Sequence, residues 1–256
     1  MFDRWFGLNG RVGVVVGASK GLGREIAIAL AHAGADVACI ARDAQKLQET
    51  ADQVTLIGRK ASVIPTDITK EEEVLKMAED VEKTFGGADI LVYSAGILEM
   101  KFALEMSLED WQRTCETNLT GAFLVTREIA KIMKNRGGGS IILLSSTFGD
   151  RILPFVLPYV VSKGGILQMV RNLAYEWARY GIRVNGIAPG YFNTEMPAKA
   201  LNDPKTREHI IRRIPLRRVG DPAEIGPLAV YLASKASDYM TGEVIRIDGG
   251  QSNNIS

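Results

Sequence analysis

Cysteine is scarce in this chain, since only Cys39 and Cys115 occur among its 256 residues. The two do not form a CxxC pair, and neither has a histidine partner at zinc-site spacing, which argues against a structural zinc site. Both are more simply interpreted as small buried hydrophobic residues. Because free thiols persist in reducing compartments, this cysteine content favours a cytoplasmic protein.

The charge balance shows no excess of either sign, because 31 Lys and Arg residues face 30 Asp and Glu residues. Binders of nucleic acid or of anionic membranes usually carry a basic excess, so neither partner is expected. No run of about 18 uninterrupted apolar residues occurs, so no membrane-spanning helix is expected. Asp3 and Arg4 interrupt the apolar residues of MFDRWFGLNGR, which therefore does not resemble a signal peptide.

Short apolar segments alternate with amphipathic segments along the chain. The apolar segments predict strands over residues 12–17, 36–41, 61–67, 88–93, 140–145, 182–188 and 243–248. The amphipathic segments predict helices over residues 22–33, 43–54, 70–85, 108–134, 156–179 and 221–234, with a small irregular helical insertion over 196–213. Strands that are apolar throughout are buried on both faces, so we expect an α/β fold with a doubly wound, seven-stranded parallel sheet and helices on both faces. No linker or internal repeat divides residues 1–256, which predicts a single domain.

The first predicted strand runs into a glycine-rich turn, GASKGLG, which opens the next helix. At Gly17, Gly21 and Gly23 the missing side chains would let the backbone approach a pyrophosphate, and the N–H groups of the helix start would attract its charge. A glycine turn alone is weak evidence of nucleotide binding, because many strand–helix turns contain glycine for steric reasons. Its place after the first strand favours a dinucleotide-binding Rossmann fold, and the absence of a following Gly-Lys-Ser/Thr argues against a P-loop.

The end of the second predicted strand indicates which dinucleotide would bind. A carboxylate there would hydrogen-bond a bare ribose 2′-hydroxyl and repel a 2′-phosphate. Here the position is Ala41, followed by Arg42, and Lys20 could reach the same place. Asp43 lies at about the distance along the sequence expected for a carboxylate that binds the ribose, but capping of the next helix explains this aspartate better. We therefore predict NADP(H) rather than NAD(H); the alternative is that Arg42 and Lys20 are solvated surface charges.

A tyrosine and a lysine lie one helical turn apart in YVVSK, at Tyr159 and Lys163. A nearby ammonium favours the phenolate and lowers the tyrosine pKa from about 10. Ser146 lies 13 residues before Tyr159, just past the carboxyl end of the fifth predicted strand. That edge of a parallel sheet is where ligands bind, so a hydroxyl, a phenol and an ammonium meet where the dinucleotide is expected. The alternative is a packed tyrosine beside a surface lysine.

Several ordered motifs together resemble the short-chain dehydrogenase/reductase family over residues 8–250. They are GASKGLG, DILVYSAG (89–96), Asn118 in TNLTGAF, Ser146 in LLSSTFG, Tyr159 with Lys163, VNGIAPGYFNTEM (184–196) and IDGG (247–250). Any one of these motifs alone is weak evidence of the family, but their order and separations along the chain make the resemblance specific. The chain departs from the family at Tyr93 and Ser94, where two asparagines are usual, and this change puts the packing beside the cofactor in doubt.

The resemblance implies a catalytic tetrad of Asn118, Ser146, Tyr159 and Lys163. During reduction of a ketone, Tyr159 would donate a proton to the developing alkoxide, while Lys163 would lower the tyrosine pKa and hold the nicotinamide ribose. Ser146 would hydrogen-bond the substrate oxygen, and Asn118 would fix a water that passes protons toward Lys163. Because the cofactor supplies the hydride chemistry, no metal is expected.

The same resemblance implies the contacts of the cofactor. Asp67 would meet the adenine amino group; the alternative is a turn or cap residue before Thr69. Residues 95–96 would pass close to the adenine ribose, residues 189–190 would shape the nicotinamide pocket, and Thr194 would reach the carboxamide or a phosphate. The full predicted set is Gly17, Ser19, Lys20, Gly21, Leu22, Gly23, Arg42, Asp67, Ile68, Ser94, Ala95, Gly96, Tyr159, Lys163, Pro189, Gly190 and Thr194.

The substrate is less determined by the sequence. Apolar residues of TFGDRILPFVLP would line the substrate site or pack a subunit interface, and residues 197–217 would form a lid. The basic residues of that insertion would suit an anionic substrate, or they are a solvated helix face. GYFNTEM, RVGDPAEI and SKASDYMTGE look like gluconate 5-dehydrogenases, and the general plan also matches 3-oxoacyl-acyl-carrier-protein reductases.

We therefore expect an NADP(H)-dependent oxidoreductase that interconverts a ketone and a secondary alcohol, acting on a sugar acid or polyol or on a 3-oxoacyl thioester. The alternative is a non-catalytic NADP-sensing binding protein on the same fold, since fold does not determine function. The four intact tetrad positions argue against this alternative. The family resemblance also implies a homo-oligomer, often a tetramer, formed through helices 108–134 and 156–179 and the C-terminal strand.

Overall fold

A computed structural model describes residues 2–253, apart from the side chains of Phe2 and Lys199. The strands are β1 Val12–Val16, β2 Asp36–Ala41, β3 Ala61–Pro65, β4 Ile90–Tyr93, β5 Gly139–Leu144, β6 Ile182–Pro189 and β7 Val244–Ile247. Within residues 2–253 these seven strands form one parallel sheet in the order β3-β2-β1-β4-β5-β6-β7. The strand order reverses between β1 and β4, so the carboxyl ends of these two strands open onto a crevice.

Helices cover both faces of the sheet. They are α1 Phe2–Phe6, α2 Gly21–His32, α3 Ala44–Leu56, α4 Glu71–Phe85, α5 Leu108–Cys115, α6 Gly121–Asn135, α7 Leu157–Trp177, α8 Ala198–Asn202, α9 Pro204–Arg213 and α10 Gly226–Ala233. The doubly wound α/β fold expected from the sequence is confirmed. No helix within residues 2–253 combines the length and the apolar character that crossing a bilayer requires.

Side chains of the central strands alternate between two hydrophobic cores. Val14 and Val16 point into the core that is closed by α4, α6 and α7, whereas Val15 points into the core closed by α2, α3 and α10. All three valines are buried, and full burial of such a side chain stabilises the fold by roughly 1.5–3 kcal/mol. This two-sided burial is the reason why β1 reads as an unbroken apolar run.

The helix predicted over residues 108–134 is present, but it changes its hydrogen-bond pattern in the middle. A π-helical segment, Glu116–Thr120, separates α5 from α6 and contains Asn118. Such segments occur frequently at functional sites. The helix ends at Asn135, and Gly139 already belongs to β5.

The predicted helical insertion over residues 196–213 forms α8 and α9. Asp203 begins α9, because its carboxylate accepts a hydrogen bond from the Thr206 amide at 2.8 Å. A small separate core of Leu201, Ile210 and Ile214 holds the two helices together. The insertion therefore follows β6 as a unit with its own packing, beside the carboxyl edge of the sheet.

Candidate active site

A cavity of about 590 Å³ opens at the carboxyl edge of the sheet, in the size range of ligand pockets. It extends from the ends of β2 and β3, across the reversal between β1 and β4, to the ends of β5 and β6. Of the predicted site residues, those that line it are Gly17, Ser19, Lys20, Gly21, Leu22, Arg42, Asp67, Ile68, Ser94, Ala95, Gly96, Ser146, Tyr159, Lys163, Pro189, Gly190 and Thr194. Gly23 and Asn118 lie behind this lining.

Two glycines of the GASKGLG turn fit tightly against their surroundings. Gly17 has a φ of +87°, and a Cβ at this position would lie 2.7 Å from the backbone nitrogen of Ala95. A Cβ at Gly23 would overlap the carbonyl oxygen of Gly17, so Gly23 supports the turn from behind. The following helix, α2, begins without a side-chain cap, which leaves its N-terminus suited to an anionic group.

The end of β2 is a cationic part of the cavity wall. Arg42 and Lys46 both line the cavity there. The Asp43 carboxylate accepts a hydrogen bond from the Lys46 amide at 3.1 Å, so it caps α3, as the sequence favoured. With that carboxylate engaged and Ala41 at the strand end, this wall suits a phosphate better than a bare ribose.

Lys20 makes a contact that the sequence does not reveal. Its ammonium pairs with the carboxylate of Glu195, which lies on the segment after β6. This hydrogen bond and the lysine charge lower the pKa of Glu195. The pair connects the glycine turn to the opposite wall of the cavity, and exposed ion pairs of this kind are weak enough to open for a ligand.

Asp67 lies at the end of β3 and adopts the turn geometry that the sequence left open as an alternative. Its Oδ1 accepts hydrogen bonds from the Thr69 amide at 3.1 Å and the Thr69 hydroxyl at 2.8 Å. Burial raises the pKa of Asp67, but these bonds and the charges of Arg42 and Lys70 outweigh it and leave the pKa lowered. The residue therefore presents a carboxylate to the cavity near Arg42.

Tyr159 and Ser146 lie together at the other end of the cavity. Burial raises the pKa of Tyr159, its hydrogen bond with Ser146 lowers it, and the nearby Tyr191 raises it, with a net upward shift. The Ser146 hydroxyl also accepts a hydrogen bond from the Phe148 amide at 3.2 Å, which orients it. The site thus holds a neutral phenol beside an oriented hydroxyl.

Lys163 lies next to Tyr159, with its Nζ 5.8 Å from the centre of the tyrosine ring. Lys163 is 4% exposed, and its ammonium donates a hydrogen bond to the Leu144 carbonyl oxygen at 2.8 Å. Burial lowers the pKa of Lys163 to about 8. The pair predicted from YVVSK is therefore present, but the net pKa shift of Tyr159 is upward, opposite to the direction expected, because burial dominates.

Asn118 joins three parts of the site from within the π-helical segment. Its Oδ1 accepts from the Ile97 amide at 2.8 Å, and its Nδ2 donates to the Ile97 carbonyl at 3.0 Å and to the Ser162 hydroxyl at 3.1 Å. A Cβ at Gly96 would lie 3.4 Å from the Asn118 Oδ1 and 3.5 Å from the Lys163 Nζ. Asn118 therefore fixes the loop after β4 directly beside Lys163.

Two further residues of this region are not among the predicted site residues. Tyr93 is fully buried, and its hydroxyl donates a hydrogen bond to the Thr117 carbonyl, in the π-helical segment, at 2.6 Å. In the sequence, the departure of Tyr93 from the family pattern could have indicated its importance. Tyr191 lines the cavity, and its ring lies 5.9 Å from that of Phe148 in an edge-on arrangement. Its place just after Pro189, the last residue of β6, and Gly190 could have indicated it.

Among the described residues, no group of three or more His, Cys, Asp or Glu side chains is arranged to hold a metal ion. The model of a protein family described as enoyl-(acyl carrier protein) reductase matches residues 17–252. The chain is 34% identical to the gluconate 5-dehydrogenase of Gluconobacter oxydans (strain 621H) over 245 residues, which cover 96% of each chain. It is 37% identical to the 2-dehydro-3-deoxy-D-gluconate 5-dehydrogenase of Escherichia coli (strain K12) over 247 residues, again 96% of each.

A solved structure of a similar protein shares the whole fold. The gluconate 5-dehydrogenase of Burkholderia cenocepacia J2315, in complex with NADP and tartrate, superposes with a TM-score of 0.95. The two sequences are 33% identical, and the match covers 99% of each chain. On these matches the chain is an oxidoreductase and belongs to the short-chain dehydrogenase/reductase family.

Proposed function

We propose that the protein interconverts a ketone and a secondary alcohol with NADP(H), and that Tyr159 is the acid and base of the reaction. The observation that carries the proposal is that Tyr159 and Ser146 line the same cavity as the glycine turn, with the Ser146 side chain close enough to lower the pKa of Tyr159. A proton donor and a second hydroxyl are thereby placed together on the wall where a carbonyl oxygen can be held.

The residues of the cavity fit NADP(H). The α2 N-terminus and the turn at Gly17 suit the pyrophosphate, and Arg42 with Lys46 suits the 2′-phosphate, because the Asp43 carboxylate is engaged in capping. The relative from Burkholderia cenocepacia holds NADP. When bound, the nicotinamide supplies the hydride.

The four tetrad residues then have distinct roles. Ser146 holds the substrate oxygen by a hydrogen bond, and Tyr159, which its raised pKa keeps protonated at neutral pH, donates its proton to that oxygen during reduction. Lys163 stabilises the phenolate that remains, since its ammonium lies beside the ring. Asn118 positions the Ile97 backbone, and with it the loop that passes beside Lys163.

The names of the relatives and of the family model supply two substrate classes for this proposal. The curated relatives act on gluconate and on 2-dehydro-3-deoxy-D-gluconate, whereas the family model is described as a reductase of acyl-carrier-protein substrates. We also propose that the protein is a cytoplasmic homotetramer with residues 197–217 as a substrate lid. Both cysteines are free thiols, which supports a reducing location.

Replacing the proposed acid tests the function. Tyr159→Phe removes the proton donor while keeping the ring, so reduction of ketones by NADPH should fall at least about 1,000-fold, with the NADPH dissociation constant within about twofold. The measurement is NADPH oxidation at 340 nm beside a fluorescence titration. Tyr239→Phe, at a fully exposed tyrosine outside the cavity lining, is the matched control and should keep full activity.

Two outcomes would count against this function. A fully active Tyr159→Phe variant would remove the proposed acid. NADPH binding by the unaltered protein without turnover of any carbonyl compound in a broad panel would instead favour the NADP-sensing alternative.

A further inference from the structure

Three segments of the chain contribute apolar side chains to the cavity that Tyr159 lines. The loop after β4 contributes Leu98 and Met100, the segment between Ser146 and α7 contributes Phe148, Leu153 and Val156, and the segment after β6 contributes Met196. All six side chains are apolar. We call these six residues the apolar wall.

The charged side chains of the cavity lie elsewhere. Apart from Lys163, the charged residues that line it within the described part of the chain are Lys20, Arg42, Asp43, Lys46, Asp67 and Glu195. Four of them belong to the ends of β2 and β3 and to α3, where the nucleotide phosphate is proposed to bind. The other two, Lys20 and Glu195, are paired with each other. Glu195 directly precedes Met196 of the apolar wall, and its charge is offset by the pairing with Lys20.

Arg213 is a cation close to this region but not on the wall. Its charge acts on the pKa of Tyr191, and Tyr191 lines the same cavity as Tyr159. Arg213 itself lines a second cavity, together with Arg151, and Phe148 lies in the lining of both cavities. Arg213 is not among the residues that line the cavity containing Tyr159.

A sugar acid and an apolar ketone make opposite demands on such a wall. Each hydroxyl of a polyol that loses water without gaining a partner weakens binding by roughly tenfold. Each methylene that leaves water for an apolar surface strengthens binding by about fourfold. The hydroxyls of Ser146 and Tyr159 are used on the carbonyl oxygen in the proposed function, and the six side chains of the apolar wall carry no hydrogen-bond donor, so this wall favours carbon over hydroxyl groups.

Apolar side chains are also exposed at the mouth of the cavity. Met100 and Met196 line the cavity, yet 65% and 45% of their surfaces are exposed. Next to Met100, the rings of Phe102 and Phe155 pack edge-on with centres 4.8 Å apart, and the Lys101 amide donates to the Phe155 carbonyl at 2.7 Å. This exposed apolar rim would be covered by an apolar ligand.

We propose that the substrate is an apolar ketone, with alkyl or ring carbon on both sides of the carbonyl, in preference to a carboxylated polyol. The inference rests on the proposed ketone–alcohol function and specifies its substrate class. An alkyl chain of this kind could belong to a free ketone or to a 3-oxoacyl thioester, which share the apolar carbon next to the carbonyl.

The first test compares substrates on the full-length protein with NADPH. From cyclohexanone to 4-tert-butylcyclohexanone, kcat/KM should rise at least about tenfold. The value for 5-keto-D-gluconate should lie at least about 100-fold below that for 4-tert-butylcyclohexanone. A value for 5-keto-D-gluconate equal to or above that of the bulky ketone would overturn the inference and leave the proposed function intact, whereas no turnover of any ketone would overturn the function itself. Parallel assays with 2-octanone and 3-oxooctanoyl-CoA decide between a free ketone and a thioester.

The second test places a cation on the wall. Leu98→Arg and Met100→Arg should each lower kcat/KM for 4-tert-butylcyclohexanone at least about tenfold and raise it for 4-oxocyclohexanecarboxylate, which carries a carboxylate at the same ring position. Met100 is largely exposed, so its replacement is expected to leave folding intact even where Leu98→Arg does not. Leu56→Arg, at an exposed leucine on α3 outside the cavity lining, is the matched control and should change neither value.

One result would contradict the inference directly. If the unaltered protein prefers 4-oxocyclohexanecarboxylate and Arg213→Ala abolishes that preference, the substrate is anionic and is recognised from the second cavity.

Discussion

At the scale of single residues, burial acts on both members of the Tyr159–Lys163 pair. It raises the pKa of Tyr159 and lowers the pKa of Lys163 to about 8, because a poorly solvated site disfavours each charged form. At neutral pH the tyrosine is therefore protonated and able to donate its proton, while the lysine is still mostly protonated. In the proposed function, this protonation state would suit the pair for the reduction of a ketone.

The two reaction directions should consequently respond to pH with opposite sign. Reduction needs neutral Tyr159 and charged Lys163, so its kcat/KM should be flat near pH 7 and fall as pH rises through about 8, where Lys163 loses its proton. Oxidation of the alcohol needs the phenolate, so its kcat/KM should rise with pH between 6 and about 8. Initial rates in both directions across this range check the expectation, and a reductive profile that stays flat to pH 10 would contradict it.

Arg42 is the residue on which the choice of dinucleotide should depend most. It lines the cavity at the end of β2, where Ala41 takes the place of a ribose-binding carboxylate and Asp43 caps α3. Arg42→Ala should weaken NADPH binding by about 10- to 100-fold, as expected for a lost hydrogen bond to a charged group, and change NADH binding less than threefold. Calorimetric titration with both dinucleotides measures this.

Arg4→Ala serves as the control for that experiment. Arg4 is an exposed arginine on α1, outside the cavity lining, and its removal should leave both dissociation constants unchanged. Equal weakening of NADPH and NADH by Arg42→Ala would show that Arg42 does not read the 2′-phosphate.

At the scale of elements, the π-helical segment is the part of the fold that most directly shapes the site. It contains Asn118, and Tyr93 of β4 holds it from below through the hydrogen bond to the Thr117 carbonyl. Because the wider π turn leaves helix carbonyls without their usual partners, a side-chain donor at this point is stabilising. The tyrosine that replaces the usual asparagine therefore has a definite structural task.

Removing that hydroxyl should affect stability and catalysis together. Tyr93→Phe should lower the free energy of unfolding by about 1 kcal/mol, measured by urea denaturation, because a buried carbonyl loses its partner. The shift of Asn118 should lower kcat by about three- to tenfold while the NADPH dissociation constant stays within twofold. Tyr180→Phe, at the end of the turn after α7, is the control; a Tyr93→Phe variant with unchanged kcat would limit Tyr93 to a purely structural role.

The strands, the helices and their order could be predicted from the sequence, because strands that are buried on both faces appear as unbroken apolar runs. The valines of β1 and the apolar run of β5 show this most plainly. The π-helical segment could not be predicted, since its apolar spacing is compatible with an ordinary helix. The Lys20–Glu195 pair and the upward pKa shift of Tyr159 were also missed, because both depend on distant segments that meet only in the folded chain.

At the scale of the whole molecule, the exposed apolar residues are unevenly distributed. Several of them lie on α5, α6 and α7, namely Leu108, Phe123, Leu157, Val161 and Tyr175. Isolated exposed apolar residues are normal, but a concentration on neighbouring helices is typical of an interface. The sheet also ends in β7, whose outer edge is unpaired within residues 2–253. Both features support the proposed homotetramer.

A charge placed on that surface should therefore separate the subunits. Phe123→Glu on α6 and Val161→Glu on α7 would bury an unpaired carboxylate in the proposed interface, so each should convert a tetramer of about four times 27.9 kDa into smaller species. Size-exclusion chromatography with light scattering measures the mass. Leu56→Glu places the same charge on α3, outside these helices, and should leave the mass unchanged. An unaltered protein that is monomeric at micromolar concentration would contradict the tetramer, and the exposed residues of α5 to α7 would then need another partner.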